Sequence, residues 1–420
     1  MRRMGYWRTG KRPDDVGMSI GTMVAKQATQ RPRLVVVSCI GVAQVLVWGS
    51  SYYLPAVLAQ PTSAETGWPL QWVIGSLSLG LLVSGLVSPL VGRLIEHHGG
   101  RPVLASSAVL LPAGLVVTGL APNLPVFIAG WVVIGLAMGA GLYDPAFSAL
   151  GRIYGEQARG AITQVTLFGG FASTVCWPLS AALEAHVGWR GACLAYAAIS
   201  LVIVLPLYLF GLPREVTRQP TPAAGRRPGR VRPDQRVAFL LLAAGLTLAS
   251  MIMTVIAVQL LSLLQTRGLT LAAAVGLGAL IGPSQVGARV LEAALGRGRH
   301  PIWSLVASAV LVAIGLGMLV AEPGAIAVGL ILYGAGSGVR SIAQGTVPLA
   351  LFGREGYAVL MGRLAFPKLV AQAASPSLGA LMLGAFGADM TILILCVVAV
   401  VNVGLALALV PIALRRQAAD

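Results

Sequence analysis

The sequence predicts an all-α integral membrane protein, with twelve transmembrane helices in two six-helix halves related by pseudo-twofold symmetry. Three observations carry that prediction. Of 420 residues, 56% are hydrophobic and only 10% are charged, with mean hydropathy +0.82. A soluble domain is about one quarter charged. Apolar runs long enough to cross a bilayer, which takes about 20 residues, recur along the whole chain. Short polar signatures in the first half return in the second.

Taken in order, residues 1–33 are polar and basic, with no apolar core before Leu34. They read as a cytosolic tail and not as a cleavable signal peptide. Apolar runs follow at 34–59, 70–92, 103–121, 125–150, 160–183 and 190–212, the last with Trp189 and Arg190 at its mouth. Pro112 interrupts the third run. These six form an N-terminal bundle, 34–212. Residues 213–236 are rich in Pro and Arg, bury no apolar surface and read as a solvated cytosolic linker. The C-terminal bundle, 237–413, contains runs at 237–265, 270–292, 301–320, 324–351, 358–384 and 386–413. A short tail, 414–420, ends the chain. The 52 glycines exceed the average share of about 7% and suit close helix packing in lipid.

Charge sets the orientation. With the N-terminus cytosolic, nearly all loop and tail cations fall on that side, and only Arg190 and Arg267 fall opposite. That is the positive-inside pattern, so the net charge of +16 records topology and calls for no nucleic-acid partner. Both termini are expected in the cytosol of a cell with this protein in its inner membrane, a bacterial location. The four cysteines fall inside apolar runs at no metal-ligand spacing, so neither a disulfide framework nor a metal site is expected.

The repeat supplies the two halves. Gly92-Arg93-Leu94-Ile95-Glu96, ending run two, is echoed by Ala288-Arg289-Val290-Leu291-Glu292, ending run eight, roughly 200 residues later. Each leads through a Gly- and Arg-containing turn to a proline, Pro102 or Pro301. Likewise Ala149-Leu150-Gly151-Arg152 after run four matches Leu351-Phe352-Gly353-Arg354 after run ten.

The run Gly92-x-x-x-Glu96-His97-x-Gly99-Gly100-Arg101 resembles the loop 2–3 signature of the major facilitator superfamily. Gly188-Trp189-Arg190 is similar to another common element of that superfamily. Gly67-Trp68 and the stretch SPLVGRLIEHHGGRP are loosely similar to its monocarboxylate and oxalate–formate branch. The resemblance implies a transporter fold. It also implies that Gly92, Arg93, Glu96, Gly99 and Arg101 form a gate latch between the halves. Arg289 and Glu292, their counterparts in the repeat, join that gating set. In oxalate–formate antiporters basic residues on helices eight and eleven hold carboxylates; Lys368 matches the helix-eleven position, while Arg289 sits at the cytosolic end of run eight and Gln285 lies nearer the middle.

Depth selects the substrate candidates. A charge at a helix centre costs about 2.5–3.5 kcal/mol on insertion scales. Arg340 and Lys368 lie deep in runs ten and eleven with few acids at that level, so an excess of buried cation points to an anionic ligand. Asp144, read as closer to the cytosolic rim, is the candidate proton carrier. Gln44, Trp48 and Tyr52 recur at i, i+4 and i+8 on run one, one helical stripe that could wall a cavity. Ser337 shares the polar face of run ten with Tyr333, Ser341 and Gln344.

No G-x-x-x-x-G-K-[ST] sequence is present, since the only lysines are Lys11, Lys26 and Lys368. A gradient-driven transporter, not an enzyme and without cofactor or metal, is therefore expected. It moves a small, monocarboxylate-like organic anion by alternating access, working as a monomer in the lipid bilayer. A second reading is an efflux pump for drugs or a metalloid in the same fold.

Overall fold

A computed structural model describes residues 32–214, 232–296, 298–321 and 323–417. The expected N-terminal tail and most of the linker lie outside these residues, as does the end of the C-terminal tail. The described chain is helical, with no strand among the described residues. Eight helical stretches are long and apolar enough to cross a membrane. Two of them, Leu124–Gly211 and Tyr357–Arg415, run 88 and 59 residues. At about 1.5 Å per residue each exceeds one bilayer thickness several-fold or nearly so. Each turns at a left-handed glycine, Gly188 (φ 69°) or Gly387 (φ 75°). The protein is a multi-pass membrane protein.

The first expected run is split. Helix α1, Arg33–Gly49, stops at a Ser-Ser-Tyr-Tyr turn, and α2, Pro55–Thr66, restarts on a proline. Proline lacks an N–H and suits a first helical turn, not an interior one. Helices α3, Leu70–His98, and α4, Gly100–Gly119, follow. Run four is also split: α5, Leu124–Gly141, opens on Asn123, whose side chain accepts from the Val126 N–H. Leu142 then takes an extended conformation (φ −78°, ψ −162°), and α6, Tyr143–Tyr154, begins with Pro145 in its first turn. Helices α7, Ala158–Gly170, α8, Ala172–Ile199, and α9, Leu205–Gly211, finish the part before the linker.

Beyond it stand α10, Arg236–Thr266, and α11, Leu271–Gly278, capped by the Thr270 hydroxyl on the Ala273 N–H. Then come α12, Ile281–Leu295, α13, Ile302–Ala321, α14, Ile326–Phe352, and α15, Tyr357–Gln417. Runs five and eight are thus each broken near their middles as well, the latter just before Pro283.

Packing inverts that of a soluble domain. Val202, Phe210, Leu381 and Val400 are 63–73% exposed on the outside, where acyl chains would cover them. One apolar core draws on residues 36–212, with a few members between 349 and 369. Two others lie wholly within 238–413. Arg289, Arg340 and Lys368 are buried as well.

Candidate functional site

A central cavity, partly open to its surroundings, lies among α1, α3, α5, α6, α7, α10, α12, α14 and α15. Its described lining holds Arg289, Arg340 and Lys368 against one carboxylate, Asp144. The arrangement begins with α14, which carries Ser337, Arg340, Ser341 and Gln344 on its cavity face at helical spacing.

Arg340 is 8% exposed. Its Nη1 donates to the Gln344 amide oxygen at 3.4 Å and its Nη2 faces the Met253 sulfur at 2.7 Å. A thioether is a weak acceptor. The buried Nε has no hydrogen-bond partner. Leaving a buried polar group unpaired costs about 1–3 kcal/mol, more for a charged one, so this guanidinium is under-satisfied.

Arg289 comes from α12 and is also buried. Its three nitrogens donate to neutral oxygens only: Nε to the Gly338 carbonyl at 3.4 Å, Nη1 to the Thr166 carbonyl at 3.2 Å and Nη2 to Gln285 at 3.4 Å. The Arg289 guanidinium lines the same cavity as that of Arg340 and opposes its charge, with the Asp144 carboxylate a weaker, favourable influence on Arg340. Room for Arg289 is made by Gly170 at the end of α7, where a Cβ would collide with Nη1. The neighbouring Gly169 accommodates the Tyr143 hydroxyl in the same way.

Lys368 departs from the expectation of an unmatched cation. Its Nζ donates to both Asp144 oxygens, at 2.6 and 2.8 Å. The break before Tyr143 is the cause: it starts α6 at cavity depth and puts Asp144 in the first turn, not at the rim. Arg289 is likewise corrected. Run eight restarts at Ile281, so Arg289 lies in the cavity and not only at a helix end.

The run-one stripe is not continuous. Because α1 ends at Gly49, Tyr52 falls in the turn and faces Thr254. Gln44 is fully buried; its amide donates to the Gly141 carbonyl at 2.7 Å and its oxygen accepts from the Trp48 indole at 3.1 Å. Among the described lining residues Trp48, Gln285 and Ser337 appear, whereas Gln44 and Tyr52 do not. Tyr53, Tyr143 and Met253 line the cavity without having been singled out from the sequence. The YDP at 143–145, a tyrosine and an acid against a proline, was the available signal for two of the site residues.

At one end of the cavity the two sets of helices meet. A Cβ at Gly92 would strike the Ala358 carbonyl, and one at Gly362 would strike that of Ser88. Arg159 donates to the carbonyls of Arg299 and, at 2.8 Å, Gly296. Arg152 donates to the Glu96 carbonyl, tying α6 to the end of α3. Exposed Arg93 donates to the Pro89 carbonyl at 3.3 Å, and the Glu292 carboxylate accepts from Ser304. Gly99 turns between α3 and α4 at φ 89°, with Arg101 in the first turn of α4. The far end differs: there Arg190 pairs with Glu65 and Arg267 with Asp389, each pair on one side of the linker.

The family model for the Major Facilitator Superfamily matches residues 36–304. This chain belongs to the major facilitator superfamily. Curated relatives include monocarboxylate transporter 11 of Homo sapiens, 31% identical over 157 residues, which cover 35% of this chain and 33% of the relative. The facilitated trehalose transporter Tret1 of Apis mellifera ligustica is 23% identical over 185 residues, 42% of this chain and 35% of that one. Both matches span well under half of the relative's length. Among solved structures, the human organic anion transporter MFSD10 aligns with TM-score 0.72 at 16% identity, covering 90% of this chain and 100% of that chain. The transporter FucP in its outward conformation aligns with the same TM-score at 13% identity, covering 90% and 99%. The fold is that of superfamily transporters.

Proposed function

We propose that the protein is a secondary transporter that moves a small, monocarboxylate-like organic anion by alternating access. Two halves, 34–212 and 237–413, rock about the central cavity in twelve passages, with the linker and both termini in the cytosol of the cell that carries it. The observation that supports this most is the Arg289–Arg340 pair, two buried guanidiniums served only by neutral acceptors, one with an orphaned Nε. Burying two such charges together is costly without an anion. The names of the monocarboxylate relatives and of the organic-anion neighbour agree with this reading.

Geometry suggests how binding couples to movement. Closure at the Gly92–Ala358 end leaves the substrate to enter from the other end. Arg289 reaches both into the cavity and across to the Thr166 carbonyl of α7. A carboxylate that captures its guanidinium competes with that carbonyl and loosens one of the ties holding the closed end. Asp144 and Lys368 form a second tie between the halves, at cavity depth. A proton on Asp144 would release Lys368, which gives the site a coupling group.

Uptake of labelled monocarboxylates into proteoliposomes tests the reading, with Arg340→Gln and Arg289→Gln as controls. Uptake lost in both variants is expected. Transport confined to neutral solutes and indifferent to both changes would contradict it and favour a drug or metalloid efflux pump.

A further inference from the structure

The cavity is chemically polarised, and the polarity specifies the body of the substrate as well as its charge. Both guanidiniums come from the second half, on α12 and α14. The first half answers with aromatic rings. Trp48 lies 5.0 Å from Tyr143, 5.3 Å from Tyr52 and 6.0 Å from Tyr53, centroid to centroid. Tyr143 is stacked on Phe147 at 5.1 Å with an interplanar angle of 12°, and Tyr53 meets Trp177 edge-on at 6.0 Å. Trp48, Tyr53 and Tyr143 of this cluster line the cavity.

The wall is held rigid. The only polar atom of the Trp48 ring donates to Gln44, and Gln44 in turn is fastened to the Gly141 carbonyl. The indole therefore offers its ring, not its N–H, to whatever occupies the cavity. Phe147 backs Tyr143 from behind and is fully buried. The phenol of Tyr143 is near enough to both Arg289 and Arg340 to feel their charges. One molecule can thus touch the aromatic wall and the guanidiniums together. A two- or three-carbon acid that satisfied the arginines would leave the wall uncovered, and a sugar would offer no anion. Aromatic rings pair best with other π faces in offset or edge-to-face contact.

We propose that the ligand is an aromatic carboxylate: a carboxylate held by Arg289 and Arg340, with its planar ring against Trp48 and Tyr143. This rests on the anion-transport reading above and narrows it. Equilibrium binding to the purified, detergent-solubilised protein tests it, using benzoate, lactate, acetate and the uncharged benzyl alcohol. Benzoate should bind at least about tenfold more tightly than lactate or acetate. Trp48→Leu should lower benzoate affinity by a larger factor than lactate affinity and so shrink that preference, and Trp48→Phe should restore most of it. The ligand series on the unaltered protein stands even where a variant fails to fold. Acetate binding as tightly as benzoate, with Arg340→Gln still abolishing both, would overturn the aromatic assignment and leave the anion reading standing. Benzyl alcohol matching benzoate, with Arg340→Gln silent, would overturn both.

Discussion

Lys368 on α15, which is buried, and Asp144 on α6, which is partly buried, form a bidentate ion pair, with Nζ 2.6 and 2.8 Å from the two carboxylate oxygens. They are 224 residues apart in the chain. Removing one partner of a buried pair strands the other charge at a cost of about 3–5 kcal/mol. Asp144→Asn should therefore lower thermal stability in detergent sharply. Adding Lys368→Met should recover most of the loss, because no charge is then left unpaired. Equal and additive losses in a double-mutant cycle would deny the pairing.

The closed end depends on glycines that let helices touch. Gly92 on α3 and Gly362 on α15 face each other's neighbouring carbonyls, Ala358 and Ser88. Backbone cannot rotate out of the way as a side chain can. Gly362→Ala should push the halves apart by overpacking, worth about 1–3 kcal/mol. Labelling of a cysteine placed at Ser148, which lines the cavity, should become faster from the closed side.

Arg159 secures the same end through the Gly296 and Arg299 carbonyls. Next to it, His300 accepts from the Ile302 N–H through Nδ1, a role open only to the unprotonated nitrogen. Partial burial, then the Arg159 charge, holds the His300 pKa below its ordinary 6.5. With the folded value below the ordinary one, the stability tied to His300 is fully present above about pH 6.5 and is lost as pH falls through the folded value. Acidification should raise closed-side labelling, and His300→Gln should flatten that dependence. An unchanged profile in the variant would assign the effect elsewhere.

Gly170 gives Arg289 its place beside the Thr166 carbonyl. Gly170→Ala should displace the guanidinium and weaken anion binding by about tenfold or more, the scale of one charged hydrogen bond at about 1.5–3 kcal/mol. Gly287→Ala, on the same segment as Arg289 but with open space at its Cβ, serves as the control and should bind normally.

The fold class was legible because it follows from lengths of apolar chain and a count of charges. The site was legible only in part. Arg340 and Lys368 stand out as charges deep in apolar runs, but nothing local to Lys368 announces Asp144 across 224 residues. Arg289 mirrors Arg93 in the repeat, which places it at a helix end, and an unbroken run carries no sign of the restart at Ile281. A straight run likewise carries the Gln44 stripe past Gly49, where α1 stops. Tyr53 and Tyr143 belong to the turns and restarts, which periodicity does not reach. Prolines 55, 145 and 283 mark three of those breaks, and read as restarts and not as kinks they would have located the cavity.

The central claim is that two buried guanidiniums served only by neutral acceptors select an anion. Its most direct test is equilibrium binding of each carboxylate against its uncharged, isosteric amide, benzoate with benzamide and lactate with lactamide. Each carboxylate should bind at least about 100-fold more tightly, near the strength of two charge-assisted hydrogen bonds at about 1.5–3 kcal/mol each. Arg340→Gln should shrink that ratio by about tenfold or more. Amides binding as well as their acids, in a protein with Arg289 and Arg340 intact, would contradict the account.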